Sequence, residues 1–368
     1  MAEVRRSGGR KIVVKVGSSF LTNRGAHLDV KRLKVLTDQV VAMRRAGHQV
    51  VLVSSGAIAC GMGVLGYTER PKNLAQLQAA AAIGQTRLMH DYERLFRRQR
   101  IVTAQILLTP DDLDQRVRYL NARNTIHTLL EQGIVPIVNE NDTVATDEIK
   151  FGDNDRLSAL VATAIDASLV IILSDVPGLY DTQGKVIPQV RAIDDFVKNL
   201  AQGTKRQTSV GGMVTKIEAA RIATNAGIPL VIASGSQNGV LMAVVNNEPV
   251  GTWFMPRQDV ISGKKRWIAF SCRSCGRIVV DDGAQEAITK KGKSLLAGGV
   301  VTVEGTFQPG ELVLVCDRSG REIARGLSNY AYNELLRIKG KKTSQIKSVL
   351  GYKSYDEVIH RNNMVVVE

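Results

Sequence analysis

The chain has 368 residues, of which 44% are hydrophobic and 23% charged, and its formal net charge at pH 7 is +14. This length predicts two domains or one large one. The sequence has no apolar run of about 18 residues and no signal-peptide pattern, so a cytoplasmic enzyme is expected. Four scattered cysteines exclude a disulfide framework, and the pair Cys272 and Cys275 lacks the further ligands of a zinc site.

The first 255 residues alternate short apolar runs, typical of buried strands, with amphipathic runs typical of helices. The predicted strands are residues 11–16, 49–54, 101–108, 134–138, 169–174 and 229–235. The predicted helices are residues 29–46, 74–97, 111–131, 157–167 and 219–226. Small residues follow the strands directly, as in a doubly wound, mainly parallel α/β sheet, so we expect ligands at the carboxyl ends of these strands.

The pattern of the sequence changes near residue 260. After this point, short β-like runs alternate with glycine-containing turns. These runs are residues 267–270, 277–280, 300–303, 311–315 and 322–325. The pattern predicts a first, α/β domain over residues 1–258, a linker over 259–275, and a second, smaller, mostly β domain over 276–368.

One acidic segment stands out in the first domain. Residues 139–159 hold six acidic residues and three asparagines directly after an apolar run. Such a segment is either a solvated acidic hairpin or a set of carboxylates with a cationic partner. Two lysines could supply the cations: Lys15 lies inside an apolar strand, and Lys216 follows a glycine loop. No loop matches the phosphate-loop or dinucleotide motifs, yet lysines and carboxylates together favour a phosphoryl-transfer site.

Five stretches carry a resemblance to a known family: residues 15–19 (KVGSS), 54–59 (SSGAIA), 138–142 (VNEND), 151–155 (FGDND) and 211–216 (GGMVTK). In this order they closely resemble the glutamate kinases of the amino-acid kinase superfamily. The β-rich tail resembles the PUA domain, which is named for pseudouridine synthases and archaeosine transglycosylases. The likeness covers nearly the whole chain.

The resemblance implies an activity, its cofactors and its partners. The reaction would be ATP-dependent phosphorylation of the γ-carboxylate of L-glutamate, with Mg²⁺, giving L-glutamyl 5-phosphate in the first step of proline synthesis. Proline would act as a feedback inhibitor, and the chain would form a homo-oligomer, either a dimer or a tetramer. No membrane partner is expected.

The resemblance also assigns site residues. As catalytic groups, Lys15 and Lys216 would stabilise the transferring phosphoryl group while Asp155 holds both lysines. Glutamate would be bound by Ser55, Asp142 and Asn154, with Asn139 close by. The nucleotide would contact Lys15, Ser174, Asp175, Val210, Gly211, Gly212, Met213, Val214, Thr215 and Lys216. Asp153 is a further candidate, and no residue is assigned to the metal.

The chain departs from the family pattern at two places. Ser174 stands where the family usually has threonine, which keeps the hydroxyl. Ser209 and Val210 stand where it usually has Gly-Thr, which moves a hydroxyl by one position.

Two alternatives stay open. Another amino-acid kinase, such as an acetylglutamate or aspartate kinase, would share the lysines and glycine loops. An RNA-binding protein would act through the basic tail, and its binding would weaken steeply with salt. The basic residues of the tail are Arg318, Arg321, Arg325, Arg337, Lys339, Lys341 and Lys342.

Overall fold

The computed structural model of the chain describes residues 9–23, 27–144, 153–203, 212–256, 268, 274–353 and 355–367. It divides the chain into two compact units, Met1–Val260 and Ile261–Glu368. Most of the expected linker, residues 259–275, lies outside the described residues, so the boundaries at 258 and 275 stay a proposal. Within the described residues, no helix combines the length and apolar character needed to cross a bilayer.

The larger unit alternates strands and helices along the chain, as the sequence predicted. Its strands are β1 (Lys11–Val16), β2 (Thr22–Asn23), β3 (His27–Leu28), β4 (Gln49–Val53), β5 (Thr103–Leu108), β6 (Val135–Glu140), β7 (Leu169–Ser174), β8 (Gln189–Val190), β9 (Leu230–Ser234) and β10 (Thr252–Phe254). Its helices are α1 (Ser18–Leu21), α2 (Val30–Arg45), α3 (Ala57–Leu65), α4 (Leu74–Arg97), α5 (Pro110–Asp114), α6 (Arg116–Glu131), α7 (Asp153–Ala164), α8 (Asp195–Gly203), α9 (Met213–Asn225) and α10 (Val240–Val245).

The strands form a sheet in the order β5-β6-β4-β1-β7-β9-β10-β8. All neighbouring pairs are parallel except β9 and β10, which are antiparallel. The predicted mainly parallel, doubly wound sheet is therefore confirmed. In such sheets, ligands bind beyond the carboxyl ends of the strands.

Successive side chains of β1 point to opposite faces of the sheet. Ile12, Val14 and Val16 belong to the core cluster that includes residues of α2, α4 and α10. Because successive side chains of a strand point to opposite faces, Val13 and Lys15 project to the other face. Helix α7 contacts β1, β6 and β7, so a helix with an acidic first turn lies near the carboxyl end of β1.

Two predicted elements need correction. The single helix expected at 111–131 is two helices, because Gln115 is extended (φ −85°, ψ 118°) between α5 and α6. Thr109 and Asp112 form a capping box that starts α5 separately. In the strand expected at 267–270, only Ile268 is described and its backbone is helical. Short apolar runs do not distinguish strand from helix by periodicity.

Two glycines allow α3 and α4 to pack with their backbones in contact. A Cβ at Gly61 would lie 1.8 Å from the carbonyl oxygen of Ala80, and one at Gly84 would lie 1.7 Å from that of Ala57. Real Cβ atoms do not approach backbone atoms this closely, so any side chain would push the helices apart. Ala57 begins α3 two residues after Ser55, so this packing also fixes the loop that carries Ser55.

We expect Gly84→Ala to lower the free energy of unfolding of the larger unit by about 3 kcal/mol, because the new methyl group overlaps a backbone carbonyl. Thermal unfolding followed by circular dichroism measures the change. Gly283→Ala, in helix α12 of the smaller unit, makes the same exchange where a Cβ would meet nothing closer than 3.5 Å, and it should not lower the stability of the larger unit. Equal melting temperatures for Gly84→Ala and wild type would contradict the packing argument.

The smaller unit contains a five-stranded sheet in the order β12-β11-β13-β14-β15. Its strands are β11 (Gly276–Val280), β12 (Val300–Gly305), β13 (Leu312–Cys316), β14 (Glu322–Leu327) and β15 (Met364–Val366), and its α-helices are α12 (Asp282–Thr289), α13 (Tyr332–Ile338) and α14 (Ile346–Leu350). Ile278, Val313 and Ile323 of the sheet and Leu335 of α13 belong to one buried core. The prediction of a second, mostly β domain is confirmed.

Candidate active site

The centre of the site is a buried carboxylate between two buried ammonium groups. The Lys15 Nζ lies 2.5 Å from Asp155 Oδ1, and the Lys216 Nζ lies 3.1 Å from Asp155 Oδ2. The Asp155 side chain is 0% exposed, and those of Lys15 and Lys216 are 6% and 7% exposed. Burial of three charges is costly, and it is tolerated here because each oxygen of the carboxylate has its own cation.

Three separate elements bring these groups together. Lys15 is the penultimate residue of β1, Asp155 lies in the first turn of α7, and Lys216 lies in the first turn of α9. Helices α7 and α9 pack against each other, and α7 also contacts β1. A lysine near the end of a strand can either extend to solvent or point into the crevice beyond the sheet. Lys15 does the second.

Burial and charge shift the pKa values of the site in definite directions. Burial lowers the pKa of Lys15, the carboxylate of Asp155 opposes that shift, and the ammonium of Lys216 adds to it. Burial alone would raise the pKa of Asp155, but the charges of Lys15 and Lys216 outweigh it and hold that pKa below its ordinary value. Asp155 is thus ionised at neutral pH.

Thr215 contacts the same carboxylate. Its hydroxyl Oγ1 donates to Asp155 Oδ2 over 2.8 Å and also lies 3.0 Å from the Gly212 carbonyl oxygen. The sequence assigned Thr215 to the nucleotide, and the structure adds a contact that the sequence did not predict. Lys216 and Thr215 together tie the start of α9 to the start of α7.

A second polar cluster joins the ends of β4 and β6 to α7. The Asn154 amide nitrogen Nδ2 donates to Ser55 Oγ over 3.0 Å and to Asn139 Oδ1 over 3.1 Å. Three of the four residues that the resemblance assigned to glutamate are therefore connected, with Asn154 contacting both Ser55 and Asn139. Asn139 is 2% exposed and lies inside β6, not in the loop after it.

Gln85 of α4 completes this cluster. Its Oε1 accepts a hydrogen bond of 2.7 Å from the Asn139 Nδ2. Gln85 was not predicted as a site residue, because it follows an alanine-rich stretch and a glycine and belongs to no recognisable motif. Only its place beside the end of β6 distinguishes it from the other glutamines of the helix.

Asp142 follows β6 and lies close enough to Arg70 for their charges to interact. Burial lowers the pKa of Arg70, and the carboxylate of Asp142 opposes this shift. Arg70 lies between α3 and α4 and was also missed from the sequence.

The residues predicted to bind the nucleotide lie at the end of β7 and at the start of α9. Ser174 ends β7, is 3% exposed, and donates from its Oγ to Asp175 Oδ1 over 3.1 Å. Gly212 precedes α9, Met213 is buried, and Val214 is 50% exposed. Val210 and Gly211 lie outside the described residues, as does the side chain of Asp153.

The described carboxylates do not form a metal cage. Within the described part of the chain, no group of three or more His, Cys, Asp or Glu side chains could hold a metal ion. The oxygens of Asp155 already receive two ammonium groups and one hydroxyl.

Models of two known families match the two parts of the chain. The model of the amino acid kinase family matches residues 10–234, and the PUA domain model matches residues 276–350. The chain therefore belongs to the amino acid kinase family and carries a PUA domain. The family is one of phosphotransferases, so the chain is a kinase.

Curated proteins of similar sequence show which group of amino acid kinases the chain belongs to. The glutamate 5-kinase of Moorella thermoacetica is 49% identical over 98% of this chain and 97% of its own length. The glutamate 5-kinase of Pelobacter propionicus is 44% identical over 97% of this chain and 98% of its own length. Within the amino acid kinases, this chain belongs to the glutamate 5-kinases.

A solved structure supports the fold alone. The N-acetylglutamate synthase of Neisseria gonorrhoeae, complexed with coenzyme A and L-arginine, is 14% identical to this chain and has a TM-score of 0.51. The match covers 72% of this chain and 67% of that one.

Proposed function

We propose that the chain transfers the γ-phosphoryl group of ATP to the γ-carboxylate of L-glutamate. The observation that carries the proposal is the pair of buried lysines held by Asp155 at the carboxyl edge of the sheet. Its substrate is the one that the names of the curated relatives print. The product is L-glutamyl 5-phosphate, and the resemblance of the sequence places the reaction first in proline biosynthesis.

In the proposed reaction, an oxygen of the γ-carboxylate attacks the γ-phosphorus, and the bond from phosphorus to the bridging oxygen of ADP breaks. No general base is needed because a carboxylate with a pKa near 4.3 is ionised at neutral pH. Lys15 and Lys216 would stabilise the charge on the transferring phosphoryl oxygens. Asp155 and Thr215 would act as positioning residues that aim these lysines.

Ser55, Asn139, Asn154 and Asp142 are proposed to bind glutamate. Hydroxyl and amide donors can bind a carboxylate without repelling it, and the Asp142 carboxylate can receive the α-ammonium group. The contacts of Asn154 with both Ser55 and Asn139 support a common role.

The nucleotide is proposed to contact Ser174, Asp175 and residues 210–216. Mg²⁺ bound to its phosphates would neutralise charge on the β- and γ-phosphoryl oxygens. Mg²⁺ commonly binds to the phosphates of a nucleotide and keeps several water ligands, which is the arrangement proposed here.

We expect ADP release from ATP and Mg²⁺ to depend on L-glutamate and to give an acyl phosphate that hydroxylamine traps as a hydroxamate. A coupled ADP assay and detection of the hydroxamate measure both. N-acetylglutamate and aspartate are the controls that separate this proposal from the other amino-acid kinases. Equal rates with glutamate and N-acetylglutamate would contradict the substrate assignment.

Further expectations from the resemblance stay predictions: inhibition by proline, self-association as a dimer or tetramer, and a cytoplasmic location. Competition between proline and glutamate in the same ADP assay tests the first. RNA binding through the PUA domain also stays a prediction, which filter binding at increasing salt concentrations tests.

A further inference from the structure

The contact between Gln85 and Asn139 has no role in the proposed chemistry, yet it joins α4 to the predicted glutamate residues. The hydrogen bonds run in one direction: Asn154 donates to Asn139 over 3.1 Å, and Asn139 donates to Gln85 over 2.7 Å. Asn154 also donates to Ser55 over 3.0 Å. Gln85, Asn139, Asn154 and Ser55 are called here the amide relay.

The direction of the relay decides what Ser55 can do. Each neutral amide has an oxygen that only accepts and a nitrogen that only donates, so the orientation of one amide fixes that of the next. Because Gln85 accepts from Asn139, the Asn139 oxygen is turned toward Asn154, and Asn154 then donates to Ser55. Ser55 is thereby an acceptor in the relay, which leaves its hydroxyl proton to donate elsewhere.

The reverse direction would have the opposite result. If Gln85 donated to Asn139, the Asn154 oxygen would face Ser55, and the Ser55 hydroxyl proton would be consumed within the relay. A carboxylate substrate accepts hydrogen bonds and donates none when it is ionised. It therefore needs the Ser55 proton, which only the observed direction leaves available.

The amide relay contains buried polar atoms that have no hydrogen-bond partner among the described residues. Gln85 Nε2 and Asn154 Oδ1 are buried and have no hydrogen-bond partner within the described part of the chain. Leaving a buried donor or acceptor unpaired is unfavourable, so each of these two atoms can accept a water molecule or a ligand group as its partner.

The position of Gln85 is held firmly. The preceding residue, Gly84, packs directly on the Ala57 carbonyl, and two turns further along α4 the Tyr92 hydroxyl lies 3.0 Å from Ser54 Oγ. Helix α4 therefore touches the end of β4 and the start of α3 on both sides of Gln85. A rigid support of this kind is what a positioning residue needs.

We propose that Gln85 is a positioning residue for the acidic substrate. By accepting from Asn139 it sets the direction of the amide relay and turns the Ser55 hydroxyl proton toward the substrate carboxylate. This inference rests on the proposed function, because it concerns the glutamate site and leaves the nucleotide site unchanged.

The test compares Gln85→Met, which removes the acceptor at similar volume, with Gln85→Glu, which keeps an accepting oxygen. We expect Gln85→Met to raise the KM for glutamate by about 10- to 30-fold and to change the KM for ATP by less than about twofold. Gln85→Glu should recover part of this loss. Gln76→Met is the matched control, since Gln76 is exposed on the same helix and should leave both constants unchanged.

A double-mutant cycle decides whether Gln85 acts through Asn139. In an Asn139→Leu background, Gln85→Met should have little further effect on kcat/KM for glutamate, because the contact is already lost. Additive effects would show that Gln85 does not act through Asn139 and would overturn the relay. An unchanged KM for glutamate in Gln85→Met, or equal increases in both KM values, would also overturn it.

These outcomes are separable from the proposed function. Wild-type protein without glutamate-dependent turnover would overturn the proposed function together with the role of the relay. Wild-type turnover with glutamate, combined with any of the contrary results for Gln85→Met, would overturn the relay alone.

Discussion

Lys216→Ala should lower kcat for glutamate phosphorylation by about 10³-fold, with a much smaller change in the KM for glutamate. The ammonium group lies in a buried site of low polarisability, where a fixed cation stabilises developing charge far more than it would in water. A 10³-fold loss corresponds to about 4 kcal/mol of transition-state stabilisation. Steady-state ADP release, with both substrates varied, measures it.

The fold should survive this substitution, because Asp155 keeps Lys15 at 2.5 Å and the Thr215 hydroxyl at 2.8 Å. Lys198→Ala is the matched control: Lys198 is an exposed lysine on α8 whose partner, Asp195, is also exposed. A Lys216→Ala variant that turns over within tenfold of wild type would remove Lys216 from the catalytic groups.

Asp155→Asn should abolish most of the activity by a different route. The substitution leaves two buried ammonium groups without a counter-charge, which is expected to lower the free energy of unfolding by about 3–5 kcal/mol. It also removes the carboxylate that opposes the lowering of the Lys15 pKa. Lys15 should then lose its proton at a lower pH, and the alkaline limb of the pH–rate profile should move to lower pH.

The direction in which the stability of the wild-type protein changes with pH follows from the pKa of Asp155, which is lower in the folded state than its ordinary value. The stabilisation from its ionised form is fully present above the unfolded pKa, near 3.9, and is lost as the pH falls through the folded pKa. Asp155→Asn should therefore remove stability at pH 7 and flatten the acid dependence below about pH 4.

Urea unfolding at several pH values and pH–rate profiles measure these effects. Asp195→Asn, at an exposed carboxylate on α8, is the control. An alkaline limb that stays in place in Asp155→Asn would show that Asp155 does not sustain the charge of Lys15.

The sequence determined the parallel sheet because its strands read as continuous apolar runs bounded by small residues. The strand at Lys11–Val16 and the helix at Leu74–Arg97 begin and end where the pattern predicts. The positions of helix caps were harder to predict. The sequence pattern is helical throughout residues 111–131, but a capping box at Thr109 starts the short helix α5, which ends at Gln115 before α6 begins.

The sequence by itself also selected Lys15, Asp155 and Lys216, because charged residues at the ends of apolar elements are conspicuous and match a family motif. Only the tertiary structure brought in Gln85, Arg70 and the contact of Thr215 with Asp155. Gln85 lies 54 positions from Asn139 in the chain, and no periodicity within α4 indicates which helix face meets β6. Motifs reveal groups that are chemically unusual in their own segment, whereas ordinary side chains acquire a role only from what the fold places beside them.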